Sequence, residues 1–471
     1  MDEPTAAMTA IPSLLFLALL PLTLSTVAPT YDPDLPLNLT DLLESQTPVE
    51  DIQRAAMVQL DPATISEEEA VESYSGYFHI DESSGPGESF FWYFPSQDGN
   101  TSAPLLIWLQ GGPGGSSLFG LFAENGPYVV NSDLKTLSRR KETWGERYAL
   151  LYIDNPFGAG YSHTKDGYVR NETQVGENLL SLLDQFYRVF PEKKASDLYV
   201  TGESYAGHYV PALAFAIMEA PESGINLKGI AIGDGWVDPI NMIPEYPGMM
   251  FNLGLADGVE LAKIQDYCDK TVAFIKAGQM ADAFKVWDEM INGDIFPYPN
   301  YFKNITGLGD YYNYLRQDSP PEQDYFADFV QRPEVRRAIH AGAETSFGGD
   351  ATTCEMNLVE DFHRSMAPRV VALLEKGVKV MIYVGQLDII IGAPLVEAFV
   401  PKLEWGGQKE YQTASRSLWY VGSRVAGYVR QARNLIQVTV RAAGHILPFD
   451  QPEAAKDMIT RFVEGLPFNK E

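Results

Sequence analysis

Ser204 stands at the centre of Gly202-Glu203-Ser204-Tyr205-Ala206-Gly207, the one G-x-S-x-A arrangement in a chain of 471 residues. Small residues two positions either side of a serine let a strand turn sharply into a helix and hold the hydroxyl out at a strained point. A glycine–serine turn before a helix is also ordinary capping, so the motif acquires meaning only with partners. A serine hydroxyl needs a base to take its proton and a third group to orient that base. Six histidines are available. His445, in Gly444-His445-Ile446-Leu447-Pro448, follows the apolar run Leu435 to Val440, and Asp388, in Gly385-Gln386-Leu387-Asp388, follows Lys379 to Val384. Hydroxyl, carboxylate and imidazole thus each follow an apolar run, as nucleophile, orienting acid and base require. His208, one helical turn beyond Ser204, is the rival base, but its place along the same helix suits packing or capping. His79, His163, His340 and His363 lack such a setting and read as structural or exposed.

Attack on a carbonyl puts negative charge on an oxygen, which preorganised backbone N–H groups must meet. The run Leu105 to Leu109 ends in Gln110-Gly111-Gly112-Pro113-Gly114-Gly115, where missing Cβ atoms let backbone approach a ligand. The N–H groups of Gly112 and Tyr205 are the expected pair. A glycine-rich turn can instead cradle phosphate, but no lysine stands at the P-loop position and the chain is strongly acidic.

The elements that must position these groups are short apolar runs suited to a sheet buried on both faces: Leu105 to Leu109, Leu150 to Ile153, Leu198 to Val200, Gly229 to Ile232, Lys379 to Val384 and Leu435 to Val440. Helical patterns at Thr173 to Phe190, Val210 to Met218 and Pro452 to Phe462 alternate with or follow them, which predicts a mostly parallel sheet in an α/β architecture. Ligands of such sheets bind outside the carboxyl ends of strands, where the candidate residues fall. The order Ser, Asp, His is that of the α/β-hydrolase fold. Tyr74 to Ile80 and Ser89 to Phe94 predict a hairpin around a turn at Ser83 to Gly87. Residues 241–355 break the rhythm with helical segments and a Tyr-rich run near Tyr298 to Tyr314, and are expected to form a helical insertion, or cap, between core parts at 73–240 and 356–471. No internal repeat is visible.

Length and 45% hydrophobic content allow a large core and exclude global disorder. The formal charge of −28 argues against nucleic acid and anionic lipid as partners, and is compatible with a soluble surface or with work in an acidic compartment. The apolar stretch Ile11 to Leu24, interrupted by Pro12, Ser13, Pro21 and Thr23, is too short to span a bilayer, and Thr26 and Ala28 offer a cleavage point, so residues 1–28 read as a signal peptide. Asp2 and Glu3 depart from the usual basic leader; a start at Met8 removes both. Residues 29–72 mix Pro with scattered Asp and Glu, hold short amphipathic pieces such as Leu39 to Leu43, and read as an extended acidic leader or propeptide. Sequons at Asn38, Asn100, Asn171 and Asn304 become glycan candidates in a secreted chain. Cys268 and Cys354 are open to two readings, one disulfide or two buried thiols. No metal or cofactor is expected, and a homodimer is left open.

Together Trp108 to Ser117, Asp154 to Ser162, Gly202 to Gly207 and Gly444 to Pro448 resemble the serine carboxypeptidases, with similarity from about Tyr74 to Phe468. Gln110, Phe119-Gly120-Leu121-Phe122 and Gly385 to Ile390 look most like the vitellogenic-carboxypeptidase branch. The resemblance implies removal of single C-terminal residues from peptides through an acyl-enzyme, with Ser204, His445 and Asp388 as the triad. It maps recognition of the substrate carboxylate to Gln110, Gly111, Glu124 and Glu203, and the pocket for the leaving residue to Phe119, Ala123 and Ile446, which favours hydrophobic residues. Two neighbouring carboxyls share a proton, so Glu203 or Glu124 is expected to stay neutral in acid and to hydrogen-bond the substrate carboxylate, and both to ionise and repel substrate as pH rises. The family usually has Asn at the position of Gln110 and a Cys at that of Gly115. An acyltransferase or esterase on the same fold and a catalytically idle storage protein are the alternatives; intact Glu124 and Glu203 speak against the first and an intact triad against the second. The expected location is secreted, with delivery to lysosome-like or yolk bodies.

Overall fold

The structure, a computed structural model, describes Met1 and residues 32–295 and 300–468. The expected signal peptide, residues 1–28, lies outside the described residues apart from Met1. A ten-stranded sheet forms the centre. Its strands are β1 (Tyr74–Glu82), β2 (Gly85–Phe94), β3 (Leu105–Leu109), β6 (Ala149–Ile153), β7 (Leu198–Glu203), β8 (Leu227–Gly233), β9 (Lys379–Gly385), β10 (Ser417–Val421), β11 (Arg424–Ala432) and β12 (Leu435–Val440). Two short strands, β4 (Tyr128–Val130) and β5 (Leu137–Arg139), form a separate ribbon. The spatial order is β1-β2-β6-β3-β7-β8-β9-β12-β11-β10; the six strands from β6 to β12 run parallel, and antiparallel pairs flank them on both sides.

Alternation within the central strands explains why their sequences are continuously apolar. Leu105, Ile107 and Leu109 face one buried cluster, and Leu106 and Trp108 face the other. Helices α3 (Glu172–Val189) and α4 (Ala206–Glu219) cover the first face, and the helix Pro452–Glu464 contributes to the second. Asn171 caps α3 by accepting hydrogen bonds from Thr173 N–H and Gln174 N–H, a contribution of about 1 kcal/mol.

Three expectations change. The β1–β2 turn is tighter than read, with Glu82 paired to Gly85 and only Ser83 and Ser84 in the loop. The segment before residue 73 is not merely extended: α1 (Leu39–Glu44) and α2 (Val49–Ala56) bury Leu39, Ile52 and Ala56 in the main core, and Tyr77 N–H donates to the Leu37 carbonyl at 2.9 Å. Burial of apolar side chains outweighs the acidic composition there. Finally, Cys268 and Cys354 are free, buried thiols: the sulfur of Cys268 lies 3.8 Å from that of Met290, whereas Cys354 packs beside Gly158, so the bridge reading is corrected.

Residues between β8 and β9 carry mostly helices, including Gly258–Ala277 and Met280–Met290, before the helix Ala367–Glu375 returns to pack on β9 and α4. Among the described residues no helix is long and apolar enough to cross a membrane.

Candidate active site

Ser204 follows the end of β7 with φ of +64°, a left-handed conformation that costs energy for a residue with a Cβ and turns the chain directly into α4. The strain is held by backbone: Ser204 N–H donates to the Gly233 carbonyl at 3.0 Å, and its own carbonyl accepts from Gly207 N–H at 2.9 Å and Trp236 N–H at 3.0 Å. From Thr201 to Val210 it is the one residue that is not buried.

The glycine turn after β3 lies against this elbow. A Cβ on Gly111 would collide with the Tyr205 amide nitrogen and come within 2.7 Å of the Ser204 Cβ, and Gly112 has φ of +118°. Asp154, after β6, ties the turn down by accepting from Ser116 Oγ at 2.6 Å, Ser117 N–H at 2.9 Å and Tyr161 N–H at 2.8 Å. Gly111 thus lies against the Tyr205 backbone at the serine, and Gly112 lines the same cavity as Ser204 and Tyr205.

His445 and Asp388 are buried, and His445 Nδ1 lies 2.7 Å from Asp388 Oδ2. Asp388 Oδ1 accepts from Ile391 N–H at 3.1 Å. With Nδ1–H given to the carboxylate, the lone pair of Nε2 is the basic one, and Nε2 has no partner in the protein. His445 and Ser204 line one cavity of about 400 Å³, along with Gln110, Gly111, Gly112 and Tyr205. Such an arrangement can take a proton from the hydroxyl and return it to a leaving group.

The insertion contributes what local sequence did not reveal. The His445 ring stacks on Tyr312, centroids 4.8 Å apart and planes 9° from parallel, and His445 N–H donates to the Tyr312 carbonyl at 2.6 Å. Ile389 N–H donates to the Tyr311 carbonyl at 3.1 Å, and Tyr314 N–H to the Leu387 carbonyl at 3.1 Å. Asp450 accepts from Gly444 N–H at 2.7 Å, Asn313 Nδ2 at 2.9 Å and Arg316 at 2.6 Å. The Tyr-rich run thus sews the two loops that carry His445 and Asp388; its aromatic density was the only signal.

Glu203 is buried behind Gln110, whose Nε2 donates to Glu203 Oε1 at 3.3 Å while its Oε1 accepts from Trp108 Nε1 at 2.8 Å. The longer side chain at position 110 is therefore held between strand and acid. Glu124, in the π-helical turn Gly120–Glu124, is equally buried. Burial pushes the Glu124 carboxyl up to about 8, tempered by its hydrogen bond with Glu203 and the charge of Arg140. Burial, then the charges of Glu124 and Asp234, push Glu203 well above the ordinary carboxylate range. Gln110 lines the cavity and the two glutamates do not. Phe119 and Ile446 line it, joined by Phe326; Ala123 is buried beside Glu124 and does not.

His208 is removed from the reaction. Its Nδ1 lies 2.6 Å from the Trp236 carbonyl and Nε2 3.0 Å from that of Arg364, its ring stacks on Tyr205, and burial lowers it to about 4. His79 pairs with Glu88, and His163 meets the Tyr161 carbonyl. His340 lies against Ser75, and His363 packs among Trp236, Trp287 and Phe362. Asn100 and Asn304 are exposed and Asn171 half-buried at its cap, whereas Asn38 is half-buried with Nδ2 donating to Glu88 at 2.6 Å, a bond a glycan there would displace.

The family described as serine carboxypeptidase matches residues 62–465. The chain belongs to the serine carboxypeptidase family. It is therefore a peptidase, a hydrolase. The chain is 45% identical over 403 residues to a probable serine carboxypeptidase, CPVL, of Homo sapiens, covering 84% of each chain. It is 41% identical to the venom serine carboxypeptidase of Apis mellifera, covering 93% of this chain and 92% of that one. To the vitellogenic carboxypeptidase of Aedes aegypti it is 39% identical, covering 91% and 89%. A crystal structure of Kex1(delta)p, a prohormone-processing carboxypeptidase from Saccharomyces cerevisiae, superposes with a TM-score of 0.75 at 24% identity, covering 88% of this chain and 96% of that chain, and shows the α/β-hydrolase fold of this serine carboxypeptidase.

Proposed function

We propose that this serine carboxypeptidase releases single C-terminal residues from peptides through an acyl-enzyme, in acid, with a preference for hydrophobic leaving residues. Ser204 Oγ attacks the last peptide carbonyl as its proton passes to His445 Nε2; Asp388 holds the imidazole and faces the cation that forms. The N–H groups of Gly112 and Tyr205 meet the oxyanion. His445 returns the proton to the departing amino acid, and water resolves the ester by the same steps. The observation that carries this reading is a strained, accessible serine sharing one cavity with a histidine whose Nδ1 is held by a buried aspartate.

Recognition of the terminal carboxylate belongs to Gln110 and Gly111, with Glu124 and Glu203 behind them. A protonated pair presents no negative charge to the incoming carboxylate; loss of its proton as pH rises weakens binding. Phe119, Phe326 and Ile446 supply an apolar wall to the same cavity, which supports the hydrophobic preference. The apolar N-terminal segment, the sequons and the acidic composition support secretion and delivery to an acidic, lysosome-like or yolk compartment.

The test is a pH profile of residue release from a blocked dipeptide, its amide and a simple ester, by the purified chain and by Ser204→Ala. Faster cleavage of the free acid than the amide below about pH 6, lost in the variant, is expected. Ester or acyl-transfer turnover with no residue release at any pH would favour the esterase or acyltransferase reading instead.

A further inference from the structure

Beneath the His445–Asp388 pair lies an aspartate that the mechanism above does not use. Asp234 follows β8, is buried, and has φ of +42°, an uncommon conformation for a residue with a Cβ. Its N–H donates to the Tyr383 carbonyl at 2.8 Å, and its Oδ1 accepts from Gly385 N–H at 2.7 Å. Oδ2 meets no donor from the protein. One carboxyl oxygen of Asp234, one of Asp388 and one ring nitrogen of His445 all lie within 4.8 Å of one another.

Among the described residues, the titratable groups around Asp234 are Asp388 and His445 on the loops after β9 and β12, Glu203 at the end of β7, Glu124 in the π-helical turn, and the Tyr383 phenol on β9. Three of these are carboxylic acids. Two ionised carboxylates so close in a dry interior repel strongly, and one keeps its proton. Asp388 accepts from two N–H groups, those of His445 and Ile391, whereas Asp234 accepts from one. Burial and the negative charge of Asp388 both act on Asp234 in that sense, pushing it well above the ordinary carboxylate range.

We propose that Asp234 is a neutral acid whose Oδ2–H donates a hydrogen bond to the Asp388 carboxylate, positioning it and dispersing its charge. A donor on Asp388 weakens the hold of that carboxylate on the imidazolium, and withdrawing the donor would tighten it. Asp234 is a positioning residue, acting through Asp388, and its role deepens the mechanism proposed above and rests on it.

The experiment is the rate at which a fluorophosphonate labels Ser204 as a function of pH, which needs the nucleophile and base but no peptide carboxylate. The full chain is compared with Asp234→Asn, which keeps shape and an N–H donor, and Asp234→Ala, which withdraws the donor. Asp234→Asn is expected to leave the acid limb within about 0.3 pH unit of the unmutated chain, and Asp234→Ala to raise it by about one unit, a roughly tenfold slower labelling on that limb that recovers above it. Should the alanine variant not fold, Asp234→Ser, too short to reach Asp388, takes its place. An acid limb lowered in both variants would show an ionised Asp234, and equal slowing at every pH would show a merely structural one; either overturns the proposal. An unmutated chain that labels at no pH would remove the nucleophile assignment as well, a failure visible before any variant is made.

Discussion

Glu124 and Glu203 behind Gln110, and Asp234 and Asp388 beneath His445, are like groups in like surroundings: carboxyls, buried, near the carboxyl edge of one sheet, with the Tyr383 phenol close to three of them. They differ in the donors they meet. Asp388 accepts from His445 and Ile391, whereas the glutamate pair receives one amide hydrogen bond, from Gln110 to Glu203. Where N–H donors converge, a buried carboxylate is sustained; where they do not, a proton is retained instead. In the proposed mechanism the same functional group, a buried carboxyl, thus supplies charge to the base and neutrality to the recognition of an anion.

The largest effect expected from breaking this comparison comes from Ser204→Ala, which should lower kcat at least about 10⁴-fold while leaving the Kd of a blocked dipeptide nearly unchanged. Single-turnover kinetics and equilibrium binding measure the two separately; equal losses in both would merge the two regions. Glu203→Gln removes the shared proton only on the recognition side. The rise of KM between about pH 5 and pH 8, expected to be about tenfold in the unmutated chain, should flatten, with kcat changed little. Tyr312→Ala loosens the catalytic side, and a fall in kcat of about tenfold with KM little moved is the expected split, because the ring stacks on His445 whereas the proposed carboxylate site is at Gln110 and Gly111.

Thermal unfolding against pH sharpens the comparison for both pairs at once. An acid whose folded pKa is raised binds more protons folded than unfolded, so its contribution is complete below the unfolded value and disappears as pH climbs towards the folded one. Burial raises Glu124 to about 8, Asp154 to about 6 and Glu355 to about 9, and carries Glu172, Glu203 and Asp234 well upward. His208 and His340, lowered to about 4, and His363, lowered to about 3, act in the opposite sense below about pH 6.5. Tm should therefore fall from acid towards alkaline pH, most steeply above about 6.5, where the histidines cease to oppose; a Tm that rises between pH 6.5 and 8 would contradict the retained protons. The smallest effect concerns the thiols. Two should titrate after unfolding without reductant, and added reductant should leave Tm unchanged.

Much of the fold was legible because sheet burial writes itself into composition. Leu435 to Val440 reads as a strand and is one, and the six parallel strands all coincide with apolar runs. β10 and β11 were not legible: each has exposed and buried residues in turn, and Arg424, Arg430 and Gln431 dilute the apolar signal. The segment 32–72 was legible only in part: Leu39 to Leu43 reads as a short amphipathic piece, but six- and eight-residue helices do not show from sequence alone that they dock on the sheet they cover. In the site, the motifs named Ser204, Asp388 and His445 in order; Asp154 stood in the Asp154 to Ser162 motif and Tyr312 in the Tyr-rich run, neither with a role, and Asp234 carries no local signature that separates it from other buried polar residues.

By itself the sequence determined the chemistry available: one serine elbow, one glycine turn, a histidine and an aspartate after apolar runs, and the acids beside them. Those follow from side-chain type and from the periodicity of strands and helices, which are local properties. Tertiary structure alone decided which groups keep charge. That choice depends on the N–H donors and carboxyls brought within a few ångströms from segments far apart in the chain, and on the exclusion of water that makes each missing partner costly.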